Sequence, residues 1–178
     1  LPGGDAAVME PWRMGISYLY SHYGNQTAGL RIPLVDNIGK ASIEQIISLI
    51  VKGVHAPTVS SAGRLFDAVA AITGLIYKAD YSAQAPMLLE SSIAPGEKGV
   101  YRVAIQGQQI SFLPMIGQIV EDLNRKRSIG CISARFHNTL VEVVVHRSCR
   151  IRRETGLDRD SPCEHRGHCC DGDLDCLR

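Results

Sequence analysis

From Trp12 to Val144 apolar residues return at three- and four-residue intervals, and after Leu157 only Leu174 and Leu177 are aliphatic. A chain patterned in this way buries helix faces along its body and has almost nothing to bury at its end. Over 178 residues, 45% of them hydrophobic, the body carries enough apolar surface for the core of one domain. Residues 1–157 are therefore expected to form one folded unit. Residues 158–178 are expected to be a Cys/His-rich tail without fixed structure.

Start and stop signals divide the body. Asp5 is placed to cap a short turn, and Pro11 suits the first turn of a helix, where its missing N–H is not needed. Trp12, Ile16, Leu19 and Tyr23 follow at helical spacing to a stop at Gly24, and Asn25 to Gly39 is expected to be loop. Ser42-Ile43-Glu44-Gln45 has the form of a capping box opening an apolar helix that ends at Gly53. Ser60-Ser61-Ala62-Gly63 opens another, carrying Leu65, Phe66, Val69 and Ile72 to Gly74. Tyr81 to Ser91 is a shorter helix interrupted by Pro86.

The period then changes to two. Val100 to Ile105 alternates, and Gln106-Gly107-Gln108 turns the chain into Gln109 to Leu113 as a hairpin. Helix resumes over Pro114 to Arg127, and Ser128 begins a long helix stopped at Gly156. The expected body is mostly helical with one small β-hairpin.

A formal net charge of +1 argues against nucleic acid or an acidic membrane surface as the main partner. The longest apolar run, Ile46 to Val51, falls far short of the ~20 residues a bilayer span requires. Leu1-Pro2-Gly3-Gly4-Asp5 has neither the basic nor the apolar region of a signal peptide, and an opening residue other than Met suggests a piece of a longer chain. Outside the tail only Cys131 and Cys149 occur, which suits a reducing, cytoplasmic setting.

In the tail, Cys163, His165, His168, Cys169, Cys170 and Cys176 are chemically adequate zinc ligands. Their spacing is poor, because Cys169 and Cys170 are adjacent and no C-x-x-C knuckle occurs. A disulfide knot would need an oxidising compartment.

Three stretches, "LPGGDAAVMEPWRM" (1–14), "SSAGRLFDAVAAITGL" (60–75) and "ARFHNTL" (134–140), resemble the carboxy-terminal carbamoyltransferase domain of the HypF family of hydrogenase maturation proteins. Their order and rough spacing match that family, and the resemblance covers nearly all of residues 1 to 157. It implies an α/β fold of the actin- or RNase H-like type. It also implies an ATP-dependent carbamoyltransferase that makes carbamoyl-adenylate from carbamoyl phosphate and ATP. The carbamoyl group would then pass to the terminal cysteine of a HypE-like partner and become the cyanide ligand of a nickel-iron hydrogenase.

The second stretch suits a nucleotide wall. Small residues at a helix start leave backbone N–H groups approachable by an anion or a ribose edge. Ser60 and Ser61 can bond a hydroxyl, and Gly63 permits close approach. The resemblance adds Gly74, at the position of a glycine lining the nucleotide in the wider superfamily. The plainer reading is a serine cap with Gly74 as the helix stop. Arg64 and Asp67, at i and i+3, are either ligand contacts or a surface ion pair. Gln84 and His137 are further candidates, although a histidine on an apolar helix face is more commonly a packed, hydrogen-bonded group.

Asp5, Glu10 and Arg13 are expected to form a buried polar network around Trp12. Arg125-Lys126-Arg127 and Arg150, Arg152 and Arg153 read as solvated helix ends. No catalytic residue is assigned, and the family's metal ligands are expected outside this chain.

Departures from the family bear on activity. Where the family has Y-E-G-Q-A-A this chain has Tyr81-Ser82-Ala83-Gln84-Ala85-Pro86, so a carboxylate and a glycine are replaced. After "RRETGL" the family continues with a strand and a glycine-rich loop, whereas here Asp158-Arg159-Asp160-Ser161-Pro162 leads into the cysteine tail. A shifted reading frame near residue 158 is the favoured account of that tail, ahead of incidental metal binding or a true module. The fragment is expected to be inactive by itself. The alternative is a non-catalytic, degenerate homologue that serves as a partner-binding scaffold, with or without metal in its tail.

Overall fold

In a computed structural model, which describes residues 1–54 and 56–156, eight helices and one hairpin follow one another along the chain. The helices are α1 (Ala6–Met9), α2 (Pro11–Tyr23), α3 (Pro33–Ile38), α4 (Lys40–Lys52), α5 (Ala62–Ile72), α6 (Gln84–Ser91), α7 (Leu113–Asn124) and α8 (Ile129–Thr155). Strands β1 (Ala104–Gln106) and β2 (Gln109–Ser111) pair antiparallel between α6 and α7.

α5 lies at the centre. Every residue from Asp67 to Ile72 is buried, so this helix has neighbours on all sides. α2 crosses it closely because Gly15 carries no side chain. A Cβ there would stand 2.6 Å from the Leu34 side chain and 3.4 Å from that of Ala71. The opposite side of α5 meets α8 through an edge-to-face pair of Phe66 and Phe136, with ring centroids 4.9 Å apart. Leu89 of α6 and Met115, Ile116 and Ile119 of α7 complete the core.

A hairpin forms where expected but is shorter: residues 100–103 are not strand, Gln106 belongs to β1 rather than the turn, and Leu113 belongs to α7. Its register is Ala104↔Ser111, Ile105↔Ile110 and Gln106↔Gln109. Gly107, at φ +58, supplies the left-handed backbone of its turn. Arg147 of α8 donates to the carbonyls of Gly107 and Gln108 at 2.9 and 3.1 Å, which ties the turn to the long helix. Ser128 caps α8 as expected, its hydroxyl accepting from Cys131 N at 3.3 Å, and Gly156 ends that helix in the left-handed region.

Two local expectations are corrected. The stretch from Asn25 to Gly39 is not loop: it holds a 3₁₀ turn, Gly24–Gly29, and then α3. Ile32, Leu34 and Val35 are buried there, so core contacts outweigh the Gly and Pro that suggest a loop. The capping box at Ser42 does not form. α4 starts at Lys40, because Gly39 ends α3 and its carbonyl accepts from Ile43 N at 3.3 Å, leaving Ser42 inside the helix.

No helix among the described residues is long and apolar enough to cross a membrane. The tail ligands Cys163, His165, His168, Cys169, Cys170 and Cys176 lie outside the described residues, as does the expected segment 158–178.

Candidate functional site

The sequence candidates gather around α5 unevenly. Ser60 and Ser61 are exposed just ahead of it, and Gly63 is in its first turn. Ser61 occupies the N-cap position, yet its side chain makes no capping bond, so the backbone donors of the first turn are not closed by it. Gly63 has an ordinary helical backbone, and a Cβ there would meet only the Ser61 hydroxyl, at 3.6 Å. The fold therefore has no need of a glycine at this position.

Arg64 and Asp67 do pair, but not at the surface. Arg64 Nη1 stands 2.7 Å from Asp67 Oδ2, with side-chain exposures of 17% and 4%. Both atoms are buried, and neither has a partner along a hydrogen-bond direction, so the contact is an ion pair rather than a directed bond. Burial pushes the Asp67 carboxyl up to about 6, and the attraction of Arg64 offsets only part of that. A second-turn carboxyl that is costly to ionise, beside a cation at the mouth of an open helix start, is an electrostatic arrangement that sequence spacing did not show.

Gly74 sits at the opposite end of α5, roughly 16 Å along the helix from Gly63 at the usual rise per residue. Its φ is +84, and a Cβ would lie 2.9 Å from that of Pro33 and 3.3 Å from the Tyr77 hydroxyl. Its backbone N–H bonds the Ala71 carbonyl at 3.0 Å, as a helix stop does. Gln84 opens α6, and its Oε1 accepts from Asp80 N at 2.7 Å, so that oxygen is engaged locally. His137 of α8 packs its ring edge-on against Phe66, with centroids 5.5 Å apart, which brings it beside α5 one turn from Gly63.

The "ARFHNTL" stretch does further work that its sequence does not announce. Arg135 pairs with buried Asp122 and lies over the Tyr101 ring at 4.4 Å from its centroid. Tyr101 Oη donates to Asp122 Oδ2 at 2.9 Å, and burial together with that bond holds the phenol well above its ordinary range. Thr139 Oγ1 accepts from Tyr101 N at 2.8 Å, and Asn138 Nδ2 donates to the carbonyls of Glu97 and Gly99. Arg127 joins through Asp122 at 3.2 Å and Glu97 at 3.9 Å, so it is not simply a solvated helix end. This network clamps segment 97–101 onto α7 and α8.

The first stretch is likewise structural, although less buried than expected. Arg13 pairs with Glu10 at partial exposure and covers Trp12 at 5.1 Å, whereas Asp5 is exposed and makes no capping bond. Among the described residues no group of three or more His, Cys, Asp or Glu side chains is placed to hold a metal ion.

Residues 1–159 match the family described as "Carbamoyltransferase, Kae1-like Domain, second subdomain". The chain belongs to the HypF carbamoyltransferase family. Carbamoyltransferase HypF of Rhizobium leguminosarum bv. viciae is 35% identical over 144 residues, covering 79% of this chain and 18% of the relative. Carbamoyltransferase HypF of Rhodobacter capsulatus is 43% identical over 96 residues, covering 53% of this chain and 12% of the relative. Among solved structures, full-length HypF in its phosphate- and nucleotide-bound form superposes with a TM-score of 0.75 at 32% identity, over 88% of this chain and 24% of that one. This chain thus spans less than a quarter of each of these HypF proteins. The mostly helical fold with its two-stranded sheet is that of a Kae1-like subdomain, in agreement with the α/β superfamily implied by the sequence motifs.

Proposed function

We propose that this chain supplies one wall of a HypF-type carbamoyl-transfer site, binding ATP or carbamoyl-adenylate at the first turn of α5. The single observation that carries this reading is Gly63. A glycine where the backbone is ordinary and the space is open brings the fold only a conformational-entropy cost. It is accounted for if something outside the fold comes close. Exposed Ser60 and Ser61 beside it offer hydroxyls to a ribose, and Arg64 offers a cation to a phosphate. Gly74, by its position and contacts, acts on this reading as the stop of α5 rather than at the ligand.

In the complete reaction ATP and carbamoyl phosphate would yield carbamoyl-adenylate, and the carbamoyl group would go to the terminal cysteine of a HypE-like protein for hydrogenase maturation in the cytoplasm. Residues 1–157 would be the working subdomain and 158–178 a segment apart. On its own the chain is expected not to turn over, since the family's metal ligands and glycine-rich loop are not among its residues.

One observation favours a second reading, a degenerate scaffold. Ala83 stands where the family carries glycine, and its backbone is still left-handed, at φ +66 and ψ +8. A residue with a side chain here holds the left-handed backbone that glycine adopts freely, a strained state that an intact ligand loop would not need. Isothermal titration of ATP into the chain separates the two readings. Saturable heat supports the nucleotide wall, and its absence at millimolar ATP supports the scaffold.

A further inference from the structure

His137 is held in one tautomer by its own helix. Its Nδ1 lies 2.8 Å from the Ser133 carbonyl, which can only accept, and 3.4 Å from Ser133 Oγ. That hydroxyl is already committed as a donor to the Leu89 carbonyl. Both groups facing Nδ1 therefore act as acceptors, and in the neutral ring the proton must sit on Nδ1. Nε2 is left as a bare lone pair.

Among the described residues no group bonds to it, and His137 is only half-buried. The ring cannot readily turn to hide that atom. Phe66 and Phe136 flank it edge-on, with centroids at 5.5 and 5.3 Å. Phe66 is also the residue one helical turn beyond Gly63, so the fixed imidazole stands against α5 at the turn that follows its start.

We propose that His137 Nε2 is a specificity-determining acceptor for the ligand seated at the start of α5, taking a hydrogen bond from an uncharged N–H or O–H donor. This rests on the nucleotide-wall reading above and adds a side chain from a different helix, with a stated atom and protonation state. Three ligand groups have the required chemistry: a ribose hydroxyl and the adenine amino group, both present in ATP, and a carbamoyl amide. A phosphate oxygen, having no proton to give, would be disfavoured by the lone pair. The histidine would thus select for the uncharged part of the ligand while Arg64 takes the charged part.

Imidazole ¹⁵N NMR of the whole chain at pH 8 tests this directly, with His137→Phe assigning the resonance and keeping an aromatic ring against Phe66. Free protein should show a protonated Nδ1 and an unprotonated Nε2. Adding ATP in one arm and carbamoyl phosphate in the other identifies the donor: the effective ligand moves Nε2 and leaves Nδ1 in place. His137→Phe should weaken that ligand about 3- to 10-fold, the worth of one hydrogen bond. A proton found on Nε2 in the free protein overturns the proposal. So do backbone amide shifts at residues 61–64 with Nε2 unmoved and affinity unchanged in His137→Phe, and in that case the nucleotide wall survives. Silence at both places removes the wall and this inference together.

Discussion

Asp67→Asn is the most informative substitution, because its effect on stability should depend on pH with a sign opposite to that of most buried ion pairs. Burial raises the folded-state pKa of Asp67 from 3.8 to about 6 even with Arg64 alongside. Between those values the folded chain holds a proton that the unfolded chain has released. Stability therefore falls as pH rises through this window and levels off above about 6. Over the interval from pH 4.5 upward the shift corresponds to at most about 2 kcal/mol, at 1.36 kcal/mol per pKa unit. Partial solvent access at Arg64, which is 17% exposed, brings the expected value to about 1–2 kcal/mol. Asparagine is the uncharged isostere and removes this titration. Leaving Arg64 without its counter-ion costs the same at every pH in the range, so it displaces the difference curve without changing its slope. The assay is urea unfolding of both proteins at intervals from pH 4.5 to 7.5. The variant should gain on the parent as pH rises, by about 1–2 kcal/mol in total. If it instead loses ground with rising pH, the attraction of Arg64 exceeds the cost of burial and the reasoning fails. A flat difference would mean that Asp67 does not sit in this environment at all.

Two further substitutions set stability against binding. Gly63→Ala should stabilise the fold by about 0.5–1 kcal/mol, since the backbone is compatible and the added methyl meets only the Ser61 hydroxyl. The same change should weaken ATP measurably in calorimetry, and equal affinity with higher stability would refute a ligand at that turn. Ala83→Gly should also stabilise, by about 1 kcal/mol, because it relieves the left-handed backbone of a residue with a side chain. Loss of stability in thermal unfolding would show that the strain assigned to Ala83 is absent.

Local chemistry carried a good part of the fold into the sequence. The stops at Gly53 and Gly156, the cap at Ser128 and the hairpin turn at Gly107 each depend on residues a few positions apart, where the requirement for a left-handed backbone or a side-chain acceptor is settled within one turn. The failures have equally local causes. At Ser42 two helix starts competed, and the one at Lys40 took the chain because Gly39 already ended α3. In 25–39 the turn-forming residues were legible, but the burial of Ile32, Leu34 and Val35 depends on helices elsewhere in the chain.

The site divides in the same way. A helix start of small residues at Ser60 to Gly63 could be read directly, as could an i, i+3 pair of Arg64 and Asp67. Whether that pair faces water or the core is decided by the helices packed around α5, and their placement changes a surface salt bridge into a carboxyl that resists ionisation. Tyr101, Asp122 and Arg135 likewise look unrelated along the chain, because a charged or phenolic side chain carries no periodic signal of its partner. Sequence alone determined most of the helical segments, though not α3, where most of them stop and which family the motifs belong to, since those follow from short-range geometry and composition. Tertiary structure alone decided which polar groups are buried, that Tyr101, Asp122 and Arg135 meet, and that Phe66 and His137 stand against each other, since each depends on segments the chain brings together only by folding.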